Sequence, residues 1–78
     1  MRSDEAGQKV RDELETDGFT VDTIHAYRIV GTDSWIVDGT GFQHFAAKSF
    51  SALVTAEGEV RQLRVWTTGT ADAFKGLT

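Results

Sequence analysis

The stretch Phe42-Gln43-His44-Phe45-Ala46-Ala47-Lys48-Ser49-Phe50-Ser51-Ala52-Leu53-Val54-Thr55-Ala56 decides the fold. Read at helical period, Phe42, Phe45, Ala46, Ser49, Phe50, Leu53 and Val54 gather on one side. Thr40-Gly41-Phe42-Gln43 even has the spacing of a capping box. At strand period, His44 and Lys48 interrupt the face that holds Phe42, Ala46, Phe50, Ala52 and Val54. Two features favour the strand. Ser49, Ser51, Val54 and Thr55 are poor helix formers as a group. The following Ala56-Glu57-Gly58-Glu59 and Val60-Arg61-Gln62-Leu63-Arg64-Val65-Trp66 read as the tip and return arm of a hairpin. A strand is therefore expected, with a second helix over 42–56 as the alternative. Either outcome gives an α+β domain.

Upstream, Ser3 is expected to cap a helix that begins at Asp4, with Asp4 and Glu5 where the helix dipole favours negative charge. Ala6, Val10 and Leu14 form one narrow apolar stripe, and Asp17-Gly18 ends the helix. Such a stripe cannot hold a helix alone in water, so it must lie on a sheet. The run Phe19 to Val30 has strand composition. Phe19, Val21, Tyr27 and Ile29 share one face by alternation, and Ile24, Ala26 and Val30 share the other. Both faces are then partly apolar, as in a strand covered on both sides. Gly31-Thr32-Asp33-Ser34 is a turn cluster, Trp35-Ile36-Val37 returns as a short strand, and Asp38-Gly39-Thr40-Gly41 closes it. At the C-terminal end, Thr70 is placed to cap a short helical turn through Lys75, with Phe74 and Leu77 as its apolar foot. The whole is one N-terminal helix on an antiparallel meander of three to four strands. A helix followed by such a meander, ending in Glu57-Gly58-Glu59-Val60, is similar in architecture to cystatin-like and peptidase-propeptide-like modules. A resemblance of architecture transfers no functional residue.

At 78 residues the chain makes one domain, residues 1–78, and buries only roughly 60% of the surface its unfolded form exposes. It has no cysteine, so no disulfide can staple it. A thin domain with apolar strand on two faces can bury the surplus against a second copy, most simply across a two-fold axis. A protein partner or a homodimer is expected on this ground. The polar start Met1-Arg2-Ser3-Asp4-Glu5 and the absence of any apolar run longer than three residues argue against a signal peptide or a membrane span. Together with the missing cysteines they place the chain in the cytoplasm. Twelve acidic against eight basic residues give a net charge of −4, which disfavours loose attraction to nucleic acid or acidic membranes. The scarcity of lysine and absence of asparagine and proline fit a salt-adapted or high-GC source.

Motifs that carry chemistry are few. His25 and His44, nineteen residues apart, match no local ligand motif. With Asp22, Asp33 or Asp38 they would be the only basis for a metal-dependent or acid–base enzyme. The plainer reading keeps each as a strand or loop histidine. No serine sits in a nucleophile elbow or beside a base, and Gly39-Thr40-Gly41 lacks the length and lysine of a phosphate loop. No catalytic, metal-ligating or cofactor-binding residue is assigned. The most suggestive set is Arg28, Arg61, Arg64 and Trp66, joined by Tyr27 and Lys48. Alternation places Gln62, Arg64, Trp66 and Thr68 on one face of the last strand and Arg61, Leu63, Val65 and Thr67 on the other. Arginine beside an exposed aromatic on a sheet is what single-stranded nucleic-acid binders use. The plainer reading pairs Arg61 and Arg64 with nearby glutamates and buries Trp66 in the core or a dimer seam. The expected function is a small non-enzymatic binding or regulatory module, with nucleic-acid binding and histidine chemistry as alternatives.

Overall fold

A computed structural model describes residues 1–68. Helix α1 spans Ser3–Thr16 and is followed by four strands, β1 Thr20–Arg28, β2 Trp35–Gln43, β3 Ala46–Val54 and β4 Val60–Thr67. The strands form one antiparallel sheet in the order β1-β2-β3-β4. Among the described residues the fold is α+β, an N-terminal helix packed on a four-strand antiparallel meander. Residues 46–54 are strand, so the second helix over 42–56 is not formed. The reading of Thr70 to Lys75 as a helical turn lies outside the described residues.

The core sits between α1 and one face of the sheet. Ala6, Val10 and Leu14 come down onto Val37, Phe50, Ala52 and Val54, and Phe19 closes one end with its ring edge-on to Phe50 at 5.6 Å between centroids. Val21, Ile24, Ala26, Trp35, Val60 and Leu63 pack around this nucleus. The helix lies mainly over β1 and reaches β2 and β3 less. It begins at Ser3 rather than Asp4, which moves the cap position to Arg2, where no side chain bonds the free amides. Asp4 compensates locally, its Oδ1 accepting from the Glu5 amide at 3.1 Å.

Three details depart from simple alternation, two of them bulges and the third a tight turn. In β1 a bulge between Val21 and Thr23 adds one residue. Val21, Ile24 and Ala26 therefore all face the helix, while Thr23, His25 and Tyr27 face away. The strand is covered on one side, not two, and the apparent second apolar face was a change of phase. Ile29 and Val30 belong to the following loop, where Val30 is fully exposed. In β4 the register slips between the partners of Ser51 and Leu53, and Gln62 takes a φ of 54°. Leu63 and Val65 then face the helix side, and Arg61 joins Arg64 and Trp66 on the other. Between β2 and β3, Gln43 pairs with Ala46, so His44 and Phe45 alone make the turn, with φ of 53° and 62°. Two successive positive φ values are what a two-residue hairpin turn with the right twist requires. This turn puts Phe42 opposite Ala47, off the face of Phe50, which explains the broken alternation in that stretch.

Asp38-Gly39-Thr40-Gly41 is not a turn but the middle of β2. Its glycines are packing devices. A Cβ on Gly39 would meet the Phe50 ring at 2.7 Å and the Thr23 carbonyl, and one on Gly41 would strike the Phe19 ring and the Thr20 carbonyl. The two phenyl rings occupy the room that side chains would have taken.

Candidate functional site: the open face of the sheet

Because α1 covers one side of the sheet, the other side is open among the described residues. Strand register arranges it in rows. One row runs Tyr27, Ile36, Leu53, Arg61. The next runs His25, Asp38, Ser51, Arg64, and the third Thr23, Thr40, Ser49, Trp66. Beyond them Phe42 stands between Thr20 and Ala47. Directly opposite residues in an antiparallel pair share a face and lie within side-chain reach.

Four of the large apolar groups that water reaches stand here, the others being at the N-terminus, in loops and on the helix side of β4. Tyr27, Phe42 and Trp66 are each about half exposed, and Ile36 is 37% exposed. Their backbones are fixed by ladders whose other face is buried core, so the surface is rigidly mounted. Between them lies a shallow saddle of mixed lining, with the side chains of Thr23, His25, Asp38, Thr40, Ser49 and Ser51 beside Trp66 and the underlying Phe50. Within it the Thr23 and Thr40 hydroxyls hydrogen-bond each other at 2.6 Å, and Ser49 bonds Thr68 at 3.2 Å. The rings of His25 and Tyr27 lie 6.4 Å apart, tilted by 32°. Among the described residues neither the Asp38 carboxylate nor the Arg64 guanidinium has an ion-pair partner.

The four residues read as one binding face do not stay together. Arg64 and Trp66 share the open face. Arg61 reaches its margin through the β4 bulge, but its guanidinium is tied to Glu59, at 2.6 and 3.0 Å to Oε2. That hydrogen bond, and the carboxylate's charge, hold the guanidinium above its ordinary value. Arg61 also borders the hollow between α1 and the start of β4. Arg28 is elsewhere. It pairs with Trp35 on the helix side of the opposite edge strand, and its guanidinium binds Asp33 at 2.7 Å and the Thr32 carbonyl at 3.1 Å. It staples its own turn. Lys48 likewise faces the helix side, opposite Gly41 and Thr67, with its amine 3.5 Å from Gln43 Oε1. The basic cluster reduces to Arg64 with Arg61 at the rim.

The histidines are also apart. His25 stands opposite Asp38, and His44 is in the β2–β3 turn, six residues further along β2, about 20 Å at the rise of a strand. Among the described residues no group of three or more histidine, aspartate or glutamate side chains converges to hold a metal ion. No helix among them is long and apolar enough to cross a membrane. Trp35 packs against the core. Sequence reasoning missed Asp38, Ile36, Leu53 and Phe42 as open-face residues. Only the strand register, which the false turn signal at Asp38-Gly39 concealed, could have found them. Comparison with family models, characterised proteins and solved structures gives no match.

Proposed function

We propose that this chain is a small non-enzymatic binding module whose working surface is the open face of its sheet and whose partner is a protein. The observation that carries this reading is the asymmetry of the sheet. One side is covered by α1, mainly over β1 and less over β2 and β3, while the other displays Tyr27, Ile36, Phe42 and Trp66 to solvent. Exposed aromatics around a few polar groups are the composition of protein interfaces, where tyrosine and tryptophan supply contact area at low entropic cost.

Charge supports a protein over a nucleic acid. Arg64 and Arg61 are offset by Asp38 on the same face and by Glu59 at its rim, so the surface offers a phosphate backbone little net attraction. Arg28 and Lys48, which would have extended a basic stripe, lie on the other side of the sheet.

Site-specific photo-cross-linking in the native cell tests this. A cross-linker at Ile36 or Leu53 is expected to give defined protein adducts, whereas one at the exposed outer helix position Gln8 is not. Equal labelling from all three positions, or none from any, would contradict the assignment of the open face.

A further inference from the structure

Resting on that reading, we infer that the partner is a second copy of this chain, packed open face to open face about a two-fold axis running along the strands. The row His25–Asp38–Ser51–Arg64 carries the inference. Asp38 and Arg64 sit two strands apart, about 10 Å at the usual strand spacing, and Ser51 stands between them. Within one chain each lacks an ion-pair partner among the described residues.

A two-fold axis between β2 and β3 lays β1 of one copy over β4 of the other and keeps every row at its own height. Arg64 then descends over the second copy's His25 and beside its Asp38, one strand away, and symmetry makes the Arg64–Asp38 pair twice. In the neighbouring row Ile36 falls over Leu53, apolar on apolar. In the third, Trp66 falls over the hydroxyl-bearing Thr23. Acid meets base and aliphatic meets aliphatic in the same arrangement, which is the self-complementarity a two-fold interface demands.

Size agrees. Four strands of nine or eight residues make a face of about 19 by 30 Å. Two such faces give a plan of roughly 1,100 Å² before side-chain relief is counted, close to the lower bound of a specific interface. Sheets packed this way stand about 10 Å apart, with their inner side chains interdigitated. The module would become a four-layer body with α1 outermost on both sides, doubling a core that is thin in one copy.

Charge exchange tests the geometry. Sedimentation of the full chain is expected to show a dimer at micromolar concentration. Asp38→Arg and Arg64→Asp should each weaken it by about tenfold or more, because each opposes like charges. Mixing the two variants should restore a heterodimer, as should combining both substitutions in one chain. If Asp38→Arg does not fold, Asp38→Asn combined with Arg64→Asp should recover most of the loss seen with Arg64→Asp alone. A wild-type monomer at high micromolar concentration overturns the inference. So does a dimer indifferent to both single changes, or one that mixing fails to restore. A monomer that binds a single-stranded oligonucleotide and loses it on Arg64→Asp overturns the partner as well. Failure here with face-specific cross-links to a different protein leaves the open face standing as the binding surface. Failure of both removes it.

Discussion

The two faces of this sheet are built from the same four strands and have opposite chemistry. On the helix side, Val37, Phe50, Ala52 and Val54 are fully or almost fully buried, and the nearest neighbours are other apolar groups. On the open side, the intervening residues of the same strands are Ile36, Asp38, Ser49, Ser51 and Leu53, a mixture of aliphatic, hydroxyl and charged groups. The same side holds Tyr27, Phe42 and Trp66 at about half exposure together with Asp38 and Arg64. The contrast separates residues that keep the fold from residues free to meet something else.

Substitutions on the two sides should therefore differ in size and in kind. Phe50→Ala removes the largest fully buried side chain and is expected to cost about 3–5 kcal/mol in urea denaturation. Loss on that scale would leave a domain this small largely unfolded. Gly39→Val drives methyl groups into Phe50 and the β1 backbone and should cost about 1–3 kcal/mol. A neutral result for Gly39→Val would mean that the close approach of ring and strand is not a constraint. At the hairpin tip, which belongs to neither face, Phe45→Gly should stabilise by about 0.5–1 kcal/mol. It frees a fully exposed side chain from a φ of 62°, so unchanged stability would show that the turn carries no strain. Trp66→Ala should change the stability of the dilute monomer by only about 0.5 kcal/mol or less. A core-like loss at Trp66 would erase the distinction between the faces.

The class and the element order were legible in the sequence. Ala6, Val10 and Leu14 marked the helix, and Glu57-Gly58 marked the last turn. What was not legible was phase. A bulge leaves no residue signature of its own at Asp22 or Gln62, because it is selected by which side chains the helix must meet rather than by local propensity. The β2–β3 turn uses His44 and Phe45 where Asn-Gly would have announced it. Conversely, Asp38-Gly39 announced a turn that is absent, since its glycine serves the Phe50 ring. Each error moved residues between faces. Arg61 crossed toward Arg64, Tyr27 left Val21, and Phe42 left Phe50. The candidate site, being a list of what shares the open face, was therefore recovered only in part. Arg64 and Trp66 share the open face as alternation placed them, Arg28 lies on the other side of the sheet, and Asp38, read as part of a turn, stands on the open face opposite His25.

The most direct test follows Trp66 itself. In a Trp35→Phe background it is the single tryptophan of the chain, and its emission can be recorded by dilution through the association range. Trp66 should shift to shorter wavelength as dimer forms, in step with the sedimentation curve. Emission that stays fixed while the chain associates would place the contact elsewhere and contradict the account.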